Sequence, residues 1–288
     1  MPVRFRSRCV TFAALALATL SAPLAAQERT PPTEVTPGLL LYQTPVGNVI
    51  VAIGTAGAFI LGPVTTANTA QVQADIAQRT QVAARYVLVT THDAATSQGD
   101  AGWTRLGAFV ATHEVMQGML RGQVGRLAGL GADVPRVSFS EVLKFSLGGQ
   151  EIHAVRQPAG ISDGDVLVHF ENMGVVFLGE SFAGDGYPLM DSTQGGTVDS
   201  LIATLNPWAG RGRNKFVGAR GPAVTSAEVT AYRDMLVAVR DLVRIAKRAG
   251  QPVAQVIATH PTATFDARYG HGRVTGGAFV REVYRTVR

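Results

Sequence analysis

The sequence predicts an α/β fold arranged as an αβ/βα four-layer sandwich, and three observations carry that prediction. Helix-like and strand-like segments alternate through residues 68–127, which argues for sheets covered by helices. Two stretches of short β-rich segments, residues 39–61 and 137–178, are each followed by helical pattern. Finally, Ser226 to Gly250 carries one apolar stripe of Val229, Tyr232, Leu236, Val239 and Val243, the pattern of a helix with a single face against a core.

Taken in order, a Pro- and Thr-rich lead (Thr30 to Pro37) gives way to Leu39 to Gln43, Asn48 to Ile53 and Ala58 to Leu61, short β-rich runs separated by Gly and Pro. They read as a meander of strands. Asn68 to Thr80 places Val72 and Ile76 four residues apart with Asn68 or Thr69 able to cap its start, so a helix leads into the strand Tyr86 to Val89. Trp103 to Leu106 repeats the step before a strand from Ala108 to Ala111 that ends at His113, and Glu114 to about Leu127 is helical. Val137 to Phe139, Gln150 to Val155, Val166 to Phe170 and Gly174 to Leu178 read as strands, with a turn-rich loop from Pro158 to Asp165. Ser226 caps the long helix and Gly250 stops it, and Val256 to Ala258 is β-like. The expected organisation is residues 1–26 as signal peptide, 27–37 as a flexible lead and 38–288 as a single domain.

The amino terminus sets the compartment. Arg4, Arg6 and Arg8 precede an apolar stretch from Val10 to Leu20 and then small residues ending at Ala26, the order of a cleaved secretory signal. That stretch falls short of the roughly 20 residues a membrane-spanning helix needs, so no membrane span is expected and the protein is placed in the periplasm or outside the cell after cleavage near Ala26. Removing 26 residues takes away three of the 26 basic residues and none of the 21 acidic ones, so the net charge falls from +5 to +2. A chain so near neutral gives no argument for nucleic acid. The one cysteine, Cys9, precedes the apolar stretch, and the mature chain therefore has no disulfide, thiol nucleophile or thiolate ligand.

The chemistry is concentrated at Tyr86-Val-Leu-Val-Thr-Thr-His92-Asp93-Ala94-Ala95-Thr96-Ser97, a buried run that feeds a polar loop; strand ends are where α/β proteins place their sites. The loop resembles the T-H-x-H-x-D-H signature of the metallo-β-lactamase-fold hydrolases. On that resemblance His92 is the first metal ligand, while Ala94, Thr96 and Ser97 stand where the second histidine, the aspartate and the third histidine belong. The likeness continues through Ile161-Ser162-Asp163-Gly164-Asp165, similar to H-T-D-G-D with Ile161 at the histidine. Leu178-Gly179-Glu180-Ser181-Phe182 is similar to T-G-D-x-F, with Glu180 at the bridging aspartate. Phe216 to Pro222 resembles V-x-P-G-H-G-P with Arg220 at the last histidine, and Gly62 lies where the family places an aspartate of the supporting shell. Gly186-Tyr187-Pro188 and Gly195 to Asp199 continue the likeness, and Pro261-Thr262-Ala263, Phe265-Asp266-Ala267-Arg268 and the closing Phe279 to Val287 resemble the family's C-terminal helical tail, so the resemblance covers nearly all of the mature chain. His260 is rejected as the last ligand because it follows the long helix, whereas Arg220 precedes it.

The resemblance implies a sandwich of the metallo-β-lactamase type built for two zinc ions, each needing about three imidazole or carboxylate ligands at roughly 2.0–2.2 Å. Only His92 and Glu180 remain as weak metal candidates. Arg220 brings a permanent positive charge to where a dication would sit, and an Arg220–Glu180 ion pair is expected in its stead. His92, Glu180 and Arg220 are thus the candidate active residues, and no cofactor is expected. A triad of His92, Asp93 and Ser97 is rejected, since all three lie on one short loop with no strained elbow at the serine. His113, His153, His169, His260 and His271 show no ligand spacing and read as structural or surface residues. The expectation is an exported pseudoenzyme that binds a small molecule or an unidentified protein partner without metal. The alternative is a residual hydrolase of ester, thioester or lactam bonds using one weakly bound zinc or none.

Overall fold

The computed structural model describes residues 31–63, 65–90, 97, 99–129 and 133–288. A seven-stranded sheet follows chain order: β1 (Thr33–Thr36), β2 (Leu39–Thr44), β3 (Gly47–Gly54), β4 (Gly57–Leu61), β5 (Ala84–Val89), β6 (Phe109–His113) and β7 (Val137–Phe139). Its first four strands form an antiparallel meander, and pairing becomes parallel from β4 onward. The second sheet comprises β8 (Val142–Ser146), β9 (Glu151–Arg156), β10 (Val166–Phe170), β11 (Val175–Gly179) and β12 (Lys215–Gly218), in the order β12-β11-β10-β9-β8. Only β11 and β12 run parallel in it.

Period-two alternation of apolar side chains builds the layers. Ile50, Phe59, Leu61 and Leu88 point from the first sheet toward Ile152, Val168, Phe170, Phe177 and Val217 of the second, forming the central core. Their neighbours Val49, Val51, Ile60 and Val87 point the other way, where Val72 and Ile76 of α1 (Thr66–Arg79) and Trp103 of α2 (Asp100–Arg105) cover them. On the far side, Val176, Leu178 and Phe216 meet three helices: α5 (Val198–Leu205), α6 (Ser226–Arg248) and α9 (Gly276–Thr286). The result is an αβ/βα sandwich. Each fully buried large side chain contributes about 1.5–3 kcal/mol, so three apolar layers secure the strand ends. No helix among the described residues is long and apolar enough to cross a membrane.

Several local expectations are corrected. The lead is ordered at β1, which pairs with β2 and buries Val35. Thr65, not Asn68 or Thr69, caps α1: its hydroxyl accepts from the Asn68 N–H at 3.2 Å, while the Asn68 side chain accepts from the Thr65 N–H at 2.7 Å, a reciprocal capping box. Thr225 and Glu228 form the same device at α6, one residue before the expected Ser226 cap. The helix after His113 breaks at Gly122 into α3 (Glu114–Arg121) and α4 (Val124–Gly129). Val256 to Ala258 is not strand but the end of α7 (Val253–Ala258), because Pro252 starts a helix there and Val256 is buried in the helical layer. A further short helix, α8 (Ala263–Tyr269), completes the tail.

Candidate functional site

A cleft of ≈ 270 Å³ opens where strand ends of both sheets meet: Pro63 after β4, Thr90 after β5, Glu180 after β11 and Arg220 after β12. The turn before β3 and the loop 161–165 close it. Three of the sequence-predicted positions, Ile161, Glu180 and Arg220, are therefore brought together on one wall system.

Ile161 is held there by its backbone. The Asp165 carboxylate accepts from the N–H groups of Gly160 at 3.0 Å, Ile161 at 2.7 Å and Ser162 at 3.1 Å, and from the Ser162 hydroxyl at 3.2 Å. On its other side the Ile161 carbonyl accepts from the Asp191 N–H at 3.2 Å. Burial pushes the Asp165 carboxyl above its ordinary range, and the four donors pull against that rise. The loop that would present a ligand is thus intact, but it presents an alkyl side chain that packs partly on the helical core.

Arg220 belongs to a different contact from the one expected. It donates to the carbonyl oxygens of Pro45 at 3.2 Å and Val46 at 3.3 Å, and its Nε is buried with no partner. No ion pair joins it to Glu180. The reason lies in Asn48, 1% exposed, whose side-chain amide donates to Gly218 at 2.9 Å and Gly221 at 2.8 Å while its N–H donates to Ala219 at 2.7 Å. This clamp draws the loop after β12 against the β2–β3 turn, so turn carbonyls reach the guanidinium first. Gly62 completes the arrangement: at φ 120°, a Cβ there would lie 2.3 Å from the Asn48 carbonyl oxygen. The aspartate that the resemblance places at this position does not fit beside the clamp.

His92, Ala94 and Thr96 lie outside the described residues, as does Asp93. Ser97 is fully buried. Among the described residues no group of three or more His, Cys, Asp or Glu side chains gathers to hold a metal. The described residues at positions that the sequence resemblance assigns to ligands offer an alkyl group, a buried hydroxyl, one carboxylate and a guanidinium, a donor set that does not fit a zinc pair.

The other histidines stand apart from the cleft. His113 caps α3, its Nδ1 accepting from the Val115 N–H at 3.3 Å and its Nε2 lying 2.9 Å from the Ser140 carbonyl. His153 sits 3.6 Å from Glu171. His169 packs edge-on to Trp208, and burial lowers its pKa, with Glu171 opposing that shift. His260 is exposed at φ 49°, and His271 bonds the Ala267 carbonyl at 2.9 Å. Sequence reading missed Arg273, which lines the cleft from the turn between α8 and α9. It also missed Asn48, whose only signal was a polar residue opening an otherwise apolar strand.

No family model matches the chain, and no curated protein matches it. Among solved structures it is similar to a metallo-beta-lactamase from Pontibacter korlensis, at 15% identity and a TM-score of 0.56, over 72% of this chain and 98% of that one. A metallo beta lactamase from Hirschia baltica gives 14% identity and a TM-score of 0.55, over 71% and 98%. A double mutant of the sec-alkyl sulfatase PisA1 gives 14% identity and a TM-score of 0.67, covering 88% of this chain and 50% of that one.

Proposed function

Because the chain has the metallo-β-lactamase fold, we propose that it is an exported binding protein, a pseudoenzyme whose cleft takes a small molecule without metal. The observation that carries this reading is the pairing of Ile161 and Arg220 at two ligand positions in one cleft. An alkyl group supplies no donor, and a guanidinium opposes a dication by Coulomb repulsion at short range. The basic, apolar and small-residue order of Met1 to Ala26 is what supports export. Elemental analysis of the purified protein after zinc addition and gel filtration tests the reading. Well under one zinc per chain is expected, with no chelator-sensitive hydrolysis of lactam or thioester substrates, and near-stoichiometric zinc overturns it.

A second reading, residual hydrolysis, draws support from Glu180 alone among the described candidates, because it keeps a carboxylate in the cleft. It predicts ester, thioester or lactam turnover that Glu180→Gln abolishes.

A further inference from the structure

We propose that the cleft binds a small organic anion, its carboxylate, sulfate or phosphate group seated on the Arg220 guanidinium and its body on the apolar wall. This rests on the metal-free reading of the same cleft and names the class of ligand. Arg220 is half-buried, and its two contacts are carbonyl oxygens, which are dipoles and not an ion-pair partner. Its Nε has no partner. Asp165 also lines the cleft but is already taken up by three backbone N–H groups and a hydroxyl, and Glu180 lines it without pairing with Arg220. Arg273 is exposed, lines the same cleft and has no ion-pair partner among the described residues. A cation held partly out of bulk water without an ion-pair partner is costly, and a planar guanidinium matches a two-oxygen anion through paired donors. Ile161, Met116 and Leu189 supply the apolar wall, and the volume of ≈ 270 Å³ suits a ligand of few atoms.

The test is calorimetric titration of the full mature chain with butyrate and with inorganic phosphate, on protein whose zinc content has been measured. Saturable binding is expected, weakened about tenfold by Arg220→Gln and about threefold by Arg273→Gln, an exposed residue outside the Asn48 clamp. Glu180→Gln should tighten it by about threefold, since a like charge leaves the cleft. If Arg220→Gln unfolds, the other two variants decide. Absence of saturable binding in metal-free protein, or affinity unmoved by Arg273→Gln and Glu180→Gln, overturns the proposal and leaves the metal-free reading standing. Stoichiometric zinc removes that reading and the proposal with it.

Discussion

Arg220 donates to the carbonyl oxygen of Val46 at 3.3 Å, joining residues 174 apart in the chain. Together with the buried Asn48 bonds to Gly218 and Gly221, this contact ties the first sheet to the second at the rim of the cleft. Asn48→Ala orphans buried carbonyls and should cost about 2–3 kcal/mol, while Arg220→Ala, whose contacts are partly exposed, should cost about 1 kcal/mol. Because Glu180 takes no part, Arg220→Ala and Glu180→Gln should add within about 0.5 kcal/mol in a double-mutant cycle by denaturant unfolding. A coupling well above that would mean the two side chains meet after all.

Asp165 makes a separate, local case. Its carboxylate has four donors, and an amide in its place turns one acceptor oxygen into a donor facing N–H groups. Asp165→Asn should therefore destabilise by about 1–3 kcal/mol. It should also speed amide hydrogen exchange at residues 160–162; unchanged exchange there would show that the loop does not depend on this carboxylate.

How much of this was legible follows from where each signal resides. Asn48 to Ile53 and Ala58 to Leu61 were legible as strands because β-rich runs between glycines are a local signal, and both are strands as read; runs apolar on both faces do not say which residue enters which layer. The Ser162 to Asp165 motif likewise marked a built loop. Caps moved by a residue or more because a capping box depends on both Thr65 and Asn68, and either alone looks sufficient. The β-branched run at Val256 was overruled by Pro252 and burial in the helical layer. The Arg220–Glu180 pair failed for a nonlocal reason: motif order places two side chains in one cleft, but not which acceptor a guanidinium reaches first.

Asp100 sets a pH dependence of known sign. It is 1% exposed, neither carboxylate oxygen has a partner, and burial, with the Asp133 charge adding to it, holds its pKa well above the ordinary 3.8. The folded state then binds a proton that the unfolded state releases, so this group's stability contribution is full below about pH 3.8 and is lost as pH rises through the folded value. Within that window the loss should run to about 1.4 kcal/mol per pH unit. Asp100→Asn carries no titrating proton, so its stability relative to the parent should be higher at pH 8 than at pH 4 in chemical denaturation, the rise ending once pH passes the folded value. A variant less stable at pH 8 than at pH 4 relative to the parent would refute the buried-acid account.

A histidine placed at position 220 alone should not create a tight metal site. Arg220→His removes the cation that opposes a dication and supplies one imidazole, yet Ile161 still presents an alkyl group on a loop pinned by Asp165. Ala94, Thr96 and Ser97, which the sequence resemblance places at three further ligand positions, supply no imidazole or carboxylate, and Gly62 leaves no room for a carboxylate beside Asn48. A zinc site short of donors is weak because each missing ligand leaves the ion's coordination to water. Titration of Arg220→His with zinc, followed by competition with a chromophoric chelator, should find no site tighter than that of the parent protein. If that one substitution produced tight, stoichiometric binding, the cleft would be a dormant metal site and the metal-free reading would fall.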